Sequence, residues 1–131
     1  MTLLFDTSIL IDIERKHPET IKQIKELARI HPLPAVIAFV SEYEFIMGTK
    51  EKEPRNKINA LYFLKKFLVL HTSQRTSSLL ADLKFKYDKK GISLPLADLL
   101  IATLTIENNR ILVTKDKDFI RIEELKKIFI N

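Results

Sequence analysis

Short apolar runs alternate along the chain with segments whose apolar residues recur every three to four positions. Residues 2–5 form an apolar run of strand length, and Ile9, Leu10, Ile11 and Ile13 follow as a helix that Thr7 or Ser8 can cap. His17-Pro18 opens a second helix with Ile21, Ile24, Leu27 and Ala28 on one side, and His31-Pro32-Leu33-Pro34 stops it. Residues 35–40 are continuously apolar and read as a strand. Ser41 then opens a helix through Tyr43, Phe45, Ile46 and Met47 that Gly48 closes. Residues 49–57 are polar and charged, an exposed connection. Ile58, Leu61, Tyr62, Leu64 and Phe67 give a further helix, residues 68–70 a short strand, and His71-Thr72-Ser73 a cap for a helix carrying Leu79, Leu80, Leu83 and Tyr87, with Gly91 just past its end. Residues 128–130 close the chain as a strand. Strands alternating with helices predict an α/β fold with a mostly parallel central sheet and helices on both faces.

The stretch 93–119 carries the most information. Pro95 and Asn108-Asn109 bracket a helix that is apolar nearly all round, so it packs on more than one side. Asp98 projects from its first turn on a face shared with Leu94, Ile101, Ala102 and Thr105, where a charge is costly unless something answers it. The following strand, 111–113, runs into Thr114-Lys115-Asp116 and puts a second carboxylate at a strand's C-terminal end.

Composition narrows the chemistry. The 131 residues suit one domain with a single core, 46% being hydrophobic and 30% charged. The absence of cysteine excludes disulfides, thiolate catalysis and cysteine-ligated zinc or iron–sulfur sites. No apolar run reaches the roughly 18 residues of a membrane span and no secretory leader is visible, so a cytoplasmic protein without membrane attachment is expected. Two glycines cannot build a phosphate-binding loop, and the three histidines lack metal-ligand spacing. A net charge of +5 favours a polyanionic partner, the more so if several acids are committed to a cation. Among the basic residues, those flanking Asp116 are the ones to test for phosphate contact.

In a parallel sheet, ligands gather beyond the C-terminal strand ends. Asp6 and Asp116 follow strands, and Glu44 and Asp98 fall in the first turns of helices, so all four can meet at one edge. Oxygen-rich clusters of this kind suit Mg²⁺ or Mn²⁺, and without a cation the acids repel one another. Each acid also has a structural reading. Asp6 can be a turn or N-cap residue, Glu44 the partner of Ser41 in a capping box, Asp98 a helix-dipole residue, and Asp116 with Asp118 a solvated turn. Ser8 and Thr114 are by default turn hydroxyls. The joint placement is what favours chemistry.

Phe5-Asp6-Thr7-Ser8, Glu44-Phe45-Ile46-Met47-Gly48, Leu96-Ala97-Asp98-Leu99-Leu100-Ile101-Ala102 and Leu112-Val113-Thr114-Lys115-Asp116-Lys117-Asp118-Phe119 resemble, in order and spacing, the four acidic motifs of PIN-domain nucleases. The nearest branch is the VapC-like toxin ribonucleases. The resemblance covers essentially the whole chain, 1–131, as a single PIN-like domain. It implies a Mg²⁺- or Mn²⁺-dependent endoribonuclease acting on RNA, dimeric and neutralised by a cognate antitoxin; separately, the helices around residues 43–67 offer an apolar surface that can serve dimerisation. It also implies that Asp6, Glu44, Asp98 and Asp116 are the catalytic, metal-binding acids, that Asp118 is a further metal-ligand candidate, and that Ser8 and Thr114 support the site. Residues 49–91 carry no motif. Two other classes remain: a phosphatase with Asp6 as nucleophile, which wants an acid where Ser8 stands, and a catalytically silent RNA-binding or partner-binding module.

Overall fold

A computed structural model describes residues 1–131. Strands and helices alternate as β1 (Leu3–Phe5), α1 (Thr7–Glu14), α2 (Pro18–Ile30), β2 (Val36–Ala38), α3 (Phe39–Thr49), α4 (Pro54–Leu64), β3 (Leu68–Leu70), α5 (Thr76–Lys89), α6 (Leu96–Glu107), β4 (Ile111–Thr114) and β5 (Lys127–Phe129), with a 3-10 turn at Lys117–Arg121. All strand pairs are parallel, in the order β3-β2-β1-β4-β5. The chain therefore builds outward from β1 through β2 to β3, then returns to the other side of β1 for β4 and β5. The direction of winding reverses between β1 and β4, and their C-terminal ends border the crevice that this reversal opens.

The two-residue period of each strand sorts its side chains onto two cores. Leu4, Val36, Ala38 and Leu112 face one side, where Leu83 and Tyr87 of α5 and Leu99, Ile101, Ala102 and Leu104 of α6 cover them. Leu3, Phe5, Ile37 and Val113 face the other, against Ile9 and Leu10 of α1, Phe45 of α3, and Ala60 and Leu64 of α4. Helices thus cover both faces, and sheet residues buried on both sides explain why the strands are apolar without alternation. The apolar circumference of α6 also has its cause: Leu99 and Ile101 through Thr105 are all buried, with the Thr103 and Thr105 hydroxyls donating to the carbonyls of Leu99 and Ile101 at 2.7 Å. No helix is long and apolar enough to cross a membrane.

Several boundaries differ from the sequence expectation. Helix α1 is capped by Asp6, whose side chain accepts from the Ile9 amide, rather than by Thr7 or Ser8, which are already helical. Phe39 and Val40 are helical instead of strand, because α3 follows β2 with no intervening loop. Ser41 consequently lies inside the helix, and Gly48 does not close it. Helix α4 starts at Pro54, whose fixed φ suits a first helical position, and ends before Phe67. Helix α5 starts at Thr76, with Ser73 one turn outside it accepting from the Arg75 amide at 3.1 Å. The last strand is Lys127–Phe129, one residue earlier than the apolar run suggested. His17 caps α2 through Nδ1, and His71 stacks on Phe39.

The two glycines make opposite demands. Gly48 is helical with open space where a Cβ would stand, whereas Gly91 has φ of +73° just beyond α5. Gly48→Ala is expected to raise the unfolding free energy by about 0.5–1 kcal/mol. Gly91→Ala is expected to lower it by about 1–2 kcal/mol. Urea denaturation of both variants checks this, and a loss on Gly48→Ala contradicts the helical placement.

Candidate metal centre

Asp6 is the innermost acid. It follows β1 directly, its amide donates to the Val113 carbonyl of β4 at 3.2 Å, and it is only 3% exposed. Burial pushes its carboxyl upward from its ordinary value, opposed by hydrogen bonds from the Thr114 and Ser8 hydroxyls and the Ile9 amide. Ser8 Oγ donates at 2.7 Å and the Ile9 amide at 3.1 Å, while Thr114 Oγ1 donates to the other carboxylate oxygen. Asp6 therefore joins β1, the start of α1 and the end of β4. Ser8 and Thr114, expected as supporting hydroxyls, both contact it.

Above this floor, one carboxylate oxygen from each of Asp98, Asp116 and Asp118 lies within 4.8 Å of the others, all three side chains being half-buried. Asp98 arrives from the first turn of α6, as its sequence position predicts. Asp116 and Asp118 come from the tight turn after β4. Thr114 Oγ1 accepts from the Asp116 amide at 2.9 Å, and Asp116 Oδ1 from the Asp118 amide at 2.9 Å. These bonds give a sequence that reads as a solvated turn a fixed shape. Burial, then the charges of Asp116, Asp118, Glu44 and Asp6, push the Asp98 carboxyl up to about 6. Arg121 reaches only Asp118, at 3.2 Å on the exposed side.

Glu44 stands one turn deeper into α3 than expected, because the helix begins at Phe39. That removes the capping-box reading, since Ser41 is not the cap. Glu44 instead accepts from Thr7 Oγ1, and Thr7 also lies 3.1 Å from Ser41 Oγ. Its charge is felt at Asp98, but its carboxylate is not among the three that converge. The structure thus groups Asp98, Asp116 and Asp118, with Asp6 behind them and Glu44 to one side.

The sequence marks Thr7 only as a candidate helix cap and does not mark Asp12. Both occupy ordinary helical positions, and nothing in the local pattern marks a hydroxyl or carboxylate whose partner is 34 or more residues away. Asp12 accepts from Lys115 Nζ and from Thr20 Oγ1, each at 2.7 Å, and these partners hold its carboxyl below its ordinary value against the effect of burial. Lys115 is therefore engaged, as is Lys127, which donates to the Ile122 and Leu125 carbonyls. A surface recess of about 480 Å³ lies at the far end of α6 around Arg75, Asp82 and Glu107 and contains none of these acids.

The donor set is all oxygen and half-buried, and its most perturbed member is destabilised by like charge. That is the chemistry of a site for a hard divalent cation.

The chain is 28% identical to Ribonuclease VapC2 of Rickettsia felis over 127 residues, 95% of each chain. Its fold superposes on the crystal structure of VapBC2 from Rickettsia felis bound to a promoter DNA fragment with a TM-score of 0.86, at 25% identity and 100% coverage of both chains. A toxin–antitoxin complex from Klebsiella pneumoniae matches with a TM-score of 0.74 at 23% identity, covering 99% of this chain and 97% of the other, a likeness of fold. The model of the PIN domain family matches residues 3–125, and with that match spanning both strands that border the crevice and all the acids gathered at it, the chain belongs to the PIN domain family.

Proposed function

We propose that the chain is a metal-dependent endoribonuclease, its 131 residues acting as one PIN-like nuclease domain that cleaves RNA phosphodiester bonds by hydrolysis. The observation that carries this reading is the convergence of Asp98, Asp116 and Asp118 at the reversal point of a parallel sheet, where Arg121 pairs with Asp118 alone and no cationic side chain pairs with Asp98 or Asp116. In this reading Asp98, Asp116 and Asp118 hold Mg²⁺ or Mn²⁺. Such an ion, when bound, stabilises charge developing on a phosphodiester and raises the acidity of a nearby water. Asp6 orients the assembly from behind through Ser8 and Thr114. Glu44, held by Thr7 and close enough for its charge to be felt at Asp98, supplies a further acceptor that can orient a water for in-line attack.

The biological setting follows by likeness. The similarity to a protein named Ribonuclease VapC2 supports RNA as substrate, and the similarity to chains solved in VapBC and toxin–antitoxin complexes supports a toxin role with a protein antitoxin as partner. We take the chain to act in the cytoplasm as a homodimer. Tyr43, Met47, Ile58 and Tyr62, each more than half exposed on α3 and α4, give a second copy an apolar surface to cover.

One substitution separates the chemistry from the fold. The folded state holds the Asp98 proton up to about pH 6, above its ordinary value of 3.8. The native form binds more protons than the unfolded one in that window, so stability in the absence of metal falls as pH rises through it. Asp98→Asn keeps the shape and removes the charge. In chelator it is expected to be more stable than the parent by about 1 kcal/mol at pH 8 once solvent screening of this half-buried group is allowed for, with the gap closing towards pH 4. Urea titrations at the two pH values read this, and equal stability at pH 8 contradicts it. The same variant is expected to lose about a hundredfold or more of Mn²⁺-dependent cleavage of a mixed RNA pool. Cleavage by the parent that persists in chelator, or undiminished cleavage by the variant, removes the nuclease assignment as drawn.

A further inference from the structure

Two consecutive residues at the end of β4 are each tied to α1, at different points along it. Thr114 donates to Asp6, the cap of the helix, and Lys115 Nζ donates to Asp12 Oδ2, well over a turn further on, at 2.7 Å. Asp12 is itself fixed, because the same oxygen accepts from Thr20 Oγ1 at 2.7 Å and Thr20 is fully buried at the start of α2. The pair is well sheltered, the Lys115 and Asp12 side chains being 31% and 19% exposed.

The turn after β4 has reason to need such a tie. Asp116 and Asp118 are pushed away from Asp98 by like charge, and the hydrogen bonds that shape the turn run within it, from the Asp116 amide to Thr114 and from the Asp118 amide to Asp116. Bonds this local resist displacement only weakly, and they open when the turn shifts away from its anchors. Phe119, buried in the core, anchors the far end, and Thr114 anchors the near end. Two anchors leave the segment free to roll about the line joining them, and Lys115 supplies a third.

We propose that Asp12 and Lys115 form a strut that positions the acidic turn, fixing the carboxylates of Asp116 and Asp118 against the α1–α2 layer at the separation from Asp98 that a divalent cation requires. Asp12 and Lys115 are positioning residues in this scheme, not ligands. The ion-binding consequence rests on the metal-dependent reading above, whereas the geometry of the turn does not.

Lys115→Met discriminates because charge and geometry pull in opposite directions. Removing a positive charge near a cation site, by itself, tightens cation binding. Removing a strut weakens it. Mn²⁺ affinity by calorimetry and amide hydrogen exchange at Asp116 and Asp118 in chelator are measured for the parent, Lys115→Met, Asp12→Asn and the double variant. Expected are about tenfold weaker Mn²⁺ binding and about tenfold faster exchange of those two amides in each single variant. The double variant should be no worse than the worse single one, because both remove the same interaction. Exchange in β1 should be unchanged, which a general loss of stability would not leave intact. Unchanged exchange at Asp116 and Asp118, or tighter Mn²⁺ binding by Lys115→Met, overturns the strut. Should one variant fail to fold, the other carries both readouts. Should the parent itself bind no Mn²⁺, the metal-dependent reading falls, and the exchange measurement alone decides the strut.

Discussion

The structure depends on one buried carboxylate. Asp6 brings a nearly inaccessible acid to the end of the central strand, where it is tolerable only because Ser8, the Ile9 amide and Thr114 all donate to it. Those three bonds do structural work in three directions: they end β1, start α1 and fasten the end of β4. A fully apolar residue there would leave the Ile9 amide and the Ser8 and Thr114 hydroxyls without this acceptor. An acid with fewer donors would stay protonated or destabilise the fold. The floor of the site and the junction of the sheet are therefore the same object.

From that floor outward, folding and chemistry diverge. Each step away from Asp6 exchanges satisfied hydrogen bonds for unanswered charge: Thr7 meets Glu44, Arg121 meets only the outer face of Asp118, and Asp98 is left among like charges on a helix buried nearly all round. Stability alone would not select that arrangement, because the same helix with a neutral residue at position 98 avoids both the burial and the repulsion. In the proposed metal-dependent reading, a bound cation relieves this concentration of like charge. The basic surplus elsewhere in the chain suits a polyanionic substrate approaching such a site.

Much of this was legible in the sequence. Apolar runs of three to six residues separated by helical periods give the parallel sheet, and Asp6, Asp98 and Asp116 at strand ends or in a first helical turn give the shared edge. What stayed hidden has physical causes. The strand-to-helix change at Ala38–Phe39 is invisible because Phe39 and Val40 suit either state, and α3 starts without a polar cap to announce it. That two-residue error made Ser41 look like a cap and Glu44 like its partner. Asp118 looked solvated because Lys-Asp-Lys-Asp has the composition of an exposed turn, and where that turn points is fixed by tertiary ties such as the bond from Thr114 to Asp6. Asp12 and Thr7 were unreadable for the same reason: their partners are distant in sequence and their own positions are helically unremarkable.

The claim at the centre is that the Asp98, Asp116 and Asp118 carboxylates are one cation site whose unfavourable charge the ion relieves. It is tested most directly by counting protons displaced when Mn²⁺ binds, from calorimetry in buffers of different ionisation enthalpy at pH 6 and pH 8. A carboxyl with a pKa of about 6 is half protonated at the lower pH and ionised at the higher. Expected is release of about half a proton per bound ion at pH 6, almost none at pH 8, and correspondingly tighter binding at pH 8. Binding with the same proton count and affinity at both pH values, or no binding at either, contradicts it.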